Sequence, residues 1–169
     1  IMKSIIKLLF AAFLTVAPLT ANAQSNVAHI NVQQLISEMP EVIAAQNELA
    51  KLEKDYTTQI DNAFKEFQTK AQSYSSDAAN QTDVTNQARQ KELESMQTNL
   101  QEFRDSAAQE LQKKQMDLMT PLLEKARNAI TKVGEEQGFN YVIDSSPNGG
   151  IILANGKDLL ADVKKELGF

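Results

Sequence analysis

The chain has 169 residues, of which 22 are acidic and 17 basic, leaving a formal charge of −5 at pH 7. That balance argues against general affinity for nucleic acid or anionic lipid, which calls for clustered Lys and Arg. Cysteine is absent, so there is no disulfide framework, no thiolate nucleophile and no lipidated-cysteine anchor.

The first segment carries Lys3 and Lys7, an almost unbroken apolar run over residues 5–16, and then Ala21-Asn22-Ala23. A positive start, a run short for a membrane span and an A-x-A site predict a secretory signal peptide over residues 1–23, cleaved between Ala23 and Gln24. The remainder is expected to work outside the cytoplasm, and losing Lys3 and Lys7 makes it more acidic still.

Residues 27–32, Val-Ala-His-Ile-Asn-Val, alternate apolar and polar positions as a half-buried strand does. A short helical turn follows. Pro40 then suits the first turn of a long helix, where its missing N–H has no intrahelical partner to lose. Between Glu41 and Val133 the only helix breaker is Pro121, and all six glycines lie at or after Gly134. Apolar residues recur at Leu49, Leu52, Tyr56, Ile60, Phe64, Phe67, Ala71 and Tyr74, and again at Leu93, Met96, Leu100, Phe103, Ala107 and Leu111. Steps of three and four put each series on one stripe of a helix. Residues 74–87, between them, are rich in Ser, Asp, Asn and Thr, which offer the backbone competing hydrogen bonds. A turn is therefore predicted near residues 75–86, with Thr82 or Asp83 capping the second helix. Two long helices joined this way lie antiparallel, and about 35 residues at 1.5 Å each give arms of about 50 Å. Pro121 is expected to bend the second helix near its return.

Gly138 has the position of a C′ glycine ending that helix. Beyond it, Tyr141-Val142-Ile143 and Ile151-Ile152-Leu153 flank Ser-Ser-Pro-Asn-Gly-Gly. Gly and Asn tolerate positive φ, so residues 139–153 read as a β-hairpin. A last helix follows, with Asp158 able to cap it. Leu159, Leu160, Val163 and Leu167 form its apolar side, and Lys164 and Lys165 complement its C-terminal dipole.

The resulting fold class is α+β. A long antiparallel helical hairpin, residues 40–133, projects from a small β-rich body made of residues 24–39 and 134–169. That body comprises the N-terminal strand, the C-terminal β-hairpin and the last helix. Three short strands and one helix are a thin core for one chain, so copies of the same chain are expected to complete it. The expected contact residues are Val27, Ile30, Val32, Leu35, Val142, Ile143, Ile151, Ile152 and Leu153.

The stretch VAHINVQQLI, a Pro-initiated helix, a long polar helical hairpin and then FNYVIDSSPNGGIILANGKDLLADVKKEL together resemble the Skp/OmpH family of periplasmic chaperones. The resemblance covers essentially the whole chain after the signal peptide, and its specific parts are the two ends. It implies a homotrimer whose β-rich body is shared by three chains. Three helical hairpins would extend from it as tentacles around a cavity that holds unfolded outer-membrane proteins, without ATP, in the periplasm. One departure matters: the best-known members are strongly basic and use an arm cluster toward lipopolysaccharide. Here the tip offers only Arg89 and Lys91, offset by Asp77 and Asp83, so contact with lipopolysaccharide or membrane is not carried over.

A holdase of this kind needs numerous weak contacts from adaptable apolar side chains rather than a shaped pocket. Phe64, Phe67, Tyr74, Met96, Phe103, Met116 and Met119 are the candidates for client binding. The competing explanation is that they pack one arm helix on the other, which is the stronger expectation for residues on the strict stripe. The rival function is a structural coiled-coil spacer that binds a folded partner through the arm tips. No catalytic residue, cofactor site or metal site is expected. His29 stands alone, Asp144 beside Ser145 and Ser146 reads as a turn cap, and pairs such as Glu135/Glu136 or Asp61/Glu66 lack a recurring ligand spacing.

Overall fold

The structure, a computed structural model, describes residues 26–147 and 149–169. The expected signal peptide and its expected cleavage site at Ala23 and Gln24 lie outside the described residues. In chain order the elements are β1 (Val27–Ile30), α1 (Val32–Glu38), α2 (Pro40–Asp77), a short 3₁₀ turn (Ala78–Asn80), α3 (Asp83–Glu136), β2 (Tyr141–Asp144), β3 (Lys157–Asp158) and α4 (Leu160–Leu167).

Helices α2 and α3, of 38 and 54 residues, form the arm. Their contacts run in opposite order along the two chains, which fixes them as antiparallel. Glu41 meets Lys125 at 2.6 Å, Glu48 meets Lys114 at 2.9 Å, Tyr56 stands edge-on to Phe103 at 6.0 Å, and Lys70 meets Glu92 at 2.5 Å. Pro40 begins α2, and the Thr82 hydroxyl accepts from the Thr85 N–H at 3.2 Å at the start of α3. Gly138 has φ +75° and donates its N–H to the Glu135 carbonyl, closing α3 as a C′ glycine does. Helix α3 runs unbroken through Pro121.

One phase of the arm stripe differs from the sequence reading. Ala63, not Phe64, takes the half-buried seam position between Ile60 and Phe67, and Phe64 is left 40% exposed. A seam that repeats every 3.5 residues selects position 63, and the next residue is turned about 100° away from it.

The body corrects two further expectations. The strand ends at Ile30, because the Asn31 side chain accepts from the Gln34 N–H at 2.9 Å and so starts α1; Val32 is the first residue of that helix. The C-terminal β-hairpin is also absent from the described residues. β2 and β3 do not pair with each other: they flank β1 in the order β2-β1-β3, both parallel to it, and residues 151–153 are not strand. The physical reason lies in the central strand. The helical excursion returns the chain to the end of the body where β1 began, so β2 lies parallel along one edge of β1. The other edge of β1 still has unpaired donors and acceptors, which β3 then meets. Around the same strand, the Ile30 carbonyl accepts from the Ser145 N–H and the His29 carbonyl from the Leu159 N–H, each at 2.9 Å.

One face of the sheet carries the core. Ala28, Ile30, Leu35, Met39, Val42, Ala126, Ala129, Val133, Leu159 and Val163 form a single buried cluster. The core therefore extends into the roots of both arm helices, past the boundaries at 40 and 133. Gly134 lets β2 approach α3 closely: a Cβ there would stand 2.8 Å from Val142 Cγ2. Helix α4 is held by Lys132–Glu166 at 2.6 Å, Lys157–Asp162 at 2.8 Å and the pair Lys164–Glu38. The N-cap position of α4 is Leu159 rather than Asp158, whose carboxylate, at the end of β3, accepts from the Leu160 N–H at 2.9 Å.

Candidate functional site

The arm presents its side chains in three settings. Along the seam, the aromatic and methionine candidates are at least half covered by the opposite helix. Phe103 packs edge-to-face with Tyr56 at an interplanar angle of 70°, and Phe67 and Met96 are half-buried. Met119 packs against the body core. Off the seam, Phe64 and Met116 (55% exposed) face outward, and the Phe64 ring stacks on Phe67 with centroids 6.5 Å apart. Ile43 and Leu123 are exposed to a similar degree and were not identified from the sequence. A signal was present, since Ile43 precedes Phe64 by three heptads and Leu123 follows Met116 by one, so each pair shares a helical phase.

The third setting is the tip, where polar groups replace the seam. Glu92 accepts from Lys70 Nζ at 2.5 Å and from the Tyr74 hydroxyl at 2.6 Å. The Arg89 guanidinium lies 4.7 Å from the Tyr74 ring centroid and donates to Asp77 at 3.1 Å. The Lys70 and Tyr74 hydrogen bonds hold the Glu92 carboxyl below its ordinary range, and Arg89 does the same for Asp77. The Tyr74 phenol is pushed up by its bond to Glu92. Arg89, one of the two basic residues at the tip, is thus already engaged within the chain.

The body shows a groove of about 520 Å³ whose apolar walls include Val32, Ile36, Leu123, Ile130, Phe139 and Val142, with Arg127 and Glu135 at its margin. Of the residues expected to join copies, Ile30 and Leu35 are consumed inside the protomer core. Val32 and Val142 line the groove, and Val27 is half-buried. Ile143, Leu153 (75% exposed) and Ile152 (fully exposed) remain open, as does Tyr141, and Ile151 is half-buried.

The polar cluster beside β2 ties the end of that strand to the start of α1. Asp144 Oδ1 accepts from the Ser146 hydroxyl at 2.5 Å, the Ser146 N–H at 2.9 Å and the Val32 N–H at 3.3 Å. Burial works against its charge, but these three donors outweigh that and keep the carboxyl below its usual range. His29 Nδ1 stands 3.2 Å from Ser145 Oγ, whereas the carboxylate bonds Ser146, so acid, base and hydroxyl are not aligned in one relay. Among the described residues no group of His, Asp and Glu is placed to hold a metal ion, and no helix is long and apolar enough to cross a membrane.

Comparison with known proteins bears on this arrangement. The family model described as outer membrane protein (OmpH-like) matches residues 26–167. A protein named "Chaperone protein Skp" from Yersinia enterocolitica is 28% identical over 148 residues, covering 85% of this chain and 86% of its own. One of the same name from Pectobacterium atrosepticum is 20% identical over 151 residues, covering 89% and 90%. Among solved structures, an OmpH-like outer membrane chaperone from Caulobacter crescentus CB15 superposes with a TM-score of 0.76 at 12% identity, covering 86% of this chain and 85% of that one. At that identity the likeness is one of fold.

Proposed function

Because this chain belongs to the OmpH-like outer membrane protein family, whose matched relatives are chaperones, we propose that it is an ATP-independent periplasmic holdase for unfolded outer-membrane proteins. The observation that carries this reading is the uncovered apolar surface of the arm. A hairpin of two helices covers each side chain from one side only. Phe64 and Met116 therefore stay partly in water on an element with no third layer, while Ile43 is exposed nearer the root and Leu123 opens into the groove of the body. Such scattered, adaptable contacts hold many sequences weakly and none tightly. The charged remainder of both helices keeps a captured chain soluble.

Copies of the chain, three in this reading, enclose the client between their arms. The support for association lies in the body. Among the described residues its sheet is all-parallel and the helices pack on one face, whereas parallel sheets are ordinarily covered on both. Tyr141, Ile143, Ile152, Leu153 and Phe169 are large apolar residues of the body left exposed.

The test is aggregation of an unfolded β-barrel protein diluted from urea, followed by light scattering. Suppression is expected at one assembly per client, at low and at high salt, without nucleotide. Absence of protection under both conditions refutes the reading. The polar lock at the tip (Lys70, Tyr74, Asp77, Arg89, Glu92) favours a second reading, in which a rigid tip docks on a folded partner as a spacer would. Crosslinking from Phe67 and Tyr74 separates the two: unfolded barrel proteins as adducts support the holdase, one folded partner supports the spacer.

A further inference from the structure

We propose that Asn155 is a site of spontaneous deamidation, and that its conversion to isoaspartate lifts β3 from the edge of β1. The proposal rests neither on the chaperone reading nor on the association of copies.

The site is set by what the sheet demands of the next residue. Gly156 lies directly against the central strand: a Cβ there would stand 2.6 Å from the Val27 carbonyl oxygen and 3.7 Å from Ala28 Cα. Only glycine lets the chain enter β3 in the register that sets Lys157 beside Ala28 and Asp158 beside His29. The same missing side chain leaves the Gly156 nitrogen unhindered toward the residue before it. That residue is an asparagine, exposed to solvent and in neither helix nor strand. The pairing that closes one edge of β1 therefore requires the neighbour that makes an asparagine labile.

The chemistry needs only water. The Gly156 amide nitrogen, on losing its proton to hydroxide, attacks Asn155 Cγ; a C–N bond forms and the side-chain nitrogen leaves as ammonia. Water then opens the five-membered imide at one of its two carbonyls. Opening at Cγ restores the backbone and leaves aspartate. Opening at the main-chain carbonyl carries the backbone through Cβ and Cγ and leaves isoaspartate. Among the described residues the Gly156 N–H donates to no backbone carbonyl, so its nitrogen is open to that deprotonation. The other Asn-Gly pair, Asn148-Gly149, differs: its asparagine lies outside the described residues, and the Gly149 N–H is engaged by the Ser146 carbonyl at 2.7 Å. Every other described asparagine precedes a residue with a side chain.

Isoaspartate adds one carbon to the main chain and one negative charge just before β3. One atom is not one residue, so sliding the strand cannot restore the sequence of N–H and C=O groups that the ladder needs. Gly156 already touches Val27, which leaves no slack on that side. β3 is two residues long, Lys157 and Asp158, and both are exposed, so packing does little to hold it. Beyond it the Leu159 N–H donates to the His29 carbonyl at 2.9 Å, and the Leu159 side chain is fully buried. That side chain keeps the start of α4 in place. The loss is therefore confined to β3 and uncovers the backbone donors and acceptors on one edge of β1.

The experiment is incubation of the chain without its signal peptide at pH 8.5 and 37 °C, folded and in concentrated urea, with Asn155→Gln alongside. Peptide mapping with fragmentation assigns each conversion to its residue. In the folded wild type Asn155 is expected to gain about one mass unit, at least about tenfold faster than any other described asparagine. As isoaspartate accumulates, hydrogen exchange should quicken at residues 157–159 and stay unchanged along the arm. Asn155→Gln, which keeps Gly156, should show neither change. Conversion at 155 in urea alone, or no faster than at the other described asparagines, overturns the site. Conversion that leaves exchange at 157–159 as it was, or a rise in exchange that is equal in Asn155→Gln, overturns the effect on β3.

Discussion

Replacing Ile30 by alanine separates the protomer core from the contacts between copies. Ile30 lies on the central strand, is 1% exposed, and belongs to the cluster with Leu35, Leu159 and Val163. Ile30→Ala removes three carbons, worth about 0.8 kcal/mol each in lost transfer free energy. The cavity that remains adds to this, because the site is fixed by a paired strand on both sides and cannot collapse far. The total is about 3 kcal/mol, a large share of the roughly 5–15 kcal/mol that holds an ordinary domain together. With a urea m-value of about 2 kcal/mol/M, the unfolding midpoint should fall by about 1.5 M. The assay is urea unfolding followed by far-UV circular dichroism, at two protein concentrations tenfold apart. The shift should be the same at both, because the lost packing lies within one chain. An unchanged midpoint in dilute solution, with association alone weakened, would place Ile30 between copies and refute the assignment of the core.

Phe64→Ser combined with Met116→Ser should lower stability only modestly, by about 1–2 kcal/mol, since both side chains are partly in water although the Phe64 ring stacks on Phe67. The same variant should lose at least half of its protection against aggregation in the light-scattering assay; full protection would show that the exposed arm positions do not hold clients. Thr82→Ala removes the hydroxyl that caps α3 and should cost about 1 kcal/mol locally. Faster hydrogen exchange should then be confined to the tip, and exchange spread evenly along both arms would contradict the assignment. For Asp144, the carboxyl is held below its ordinary range in the fold. Its contribution is therefore present above the usual carboxylate pKa and lost as pH falls through the lowered value. Urea midpoints measured from about pH 6 to 3 should fall more in the wild type than in Asp144→Asn, and parallel curves would count against the tie between β2 and α1.

Much of this architecture follows from residue type and spacing within one segment. Pro40, the three-and-four spacing of Leu49, Leu52 and Tyr56, the Ser/Asp/Asn/Thr stretch around Thr82 and the glycine at 138 act over a few residues. They specify a long helix, a turn, a second helix and a stop whatever surrounds them. The family resemblance rested chiefly on other residues, the two ends of the chain at 27–36 and 139–167, where its pattern is specific. What the tertiary structure alone decided is which segments pair. Ile151-Ile152-Leu153 has the composition of a strand, yet the open edge of β1 is satisfied instead by Lys157 and Asp158, two polar residues with no local strand signal. The contrast between Ile30 and Ile143 has the same origin. Both are β-branched residues in short apolar runs, and the stacking of α1, α3 and α4 against one face of the sheet buries the first and leaves the second open. Spacing within a segment sets helix and turn; burial is a property of what lies across from a residue, and that is settled only when distant segments meet.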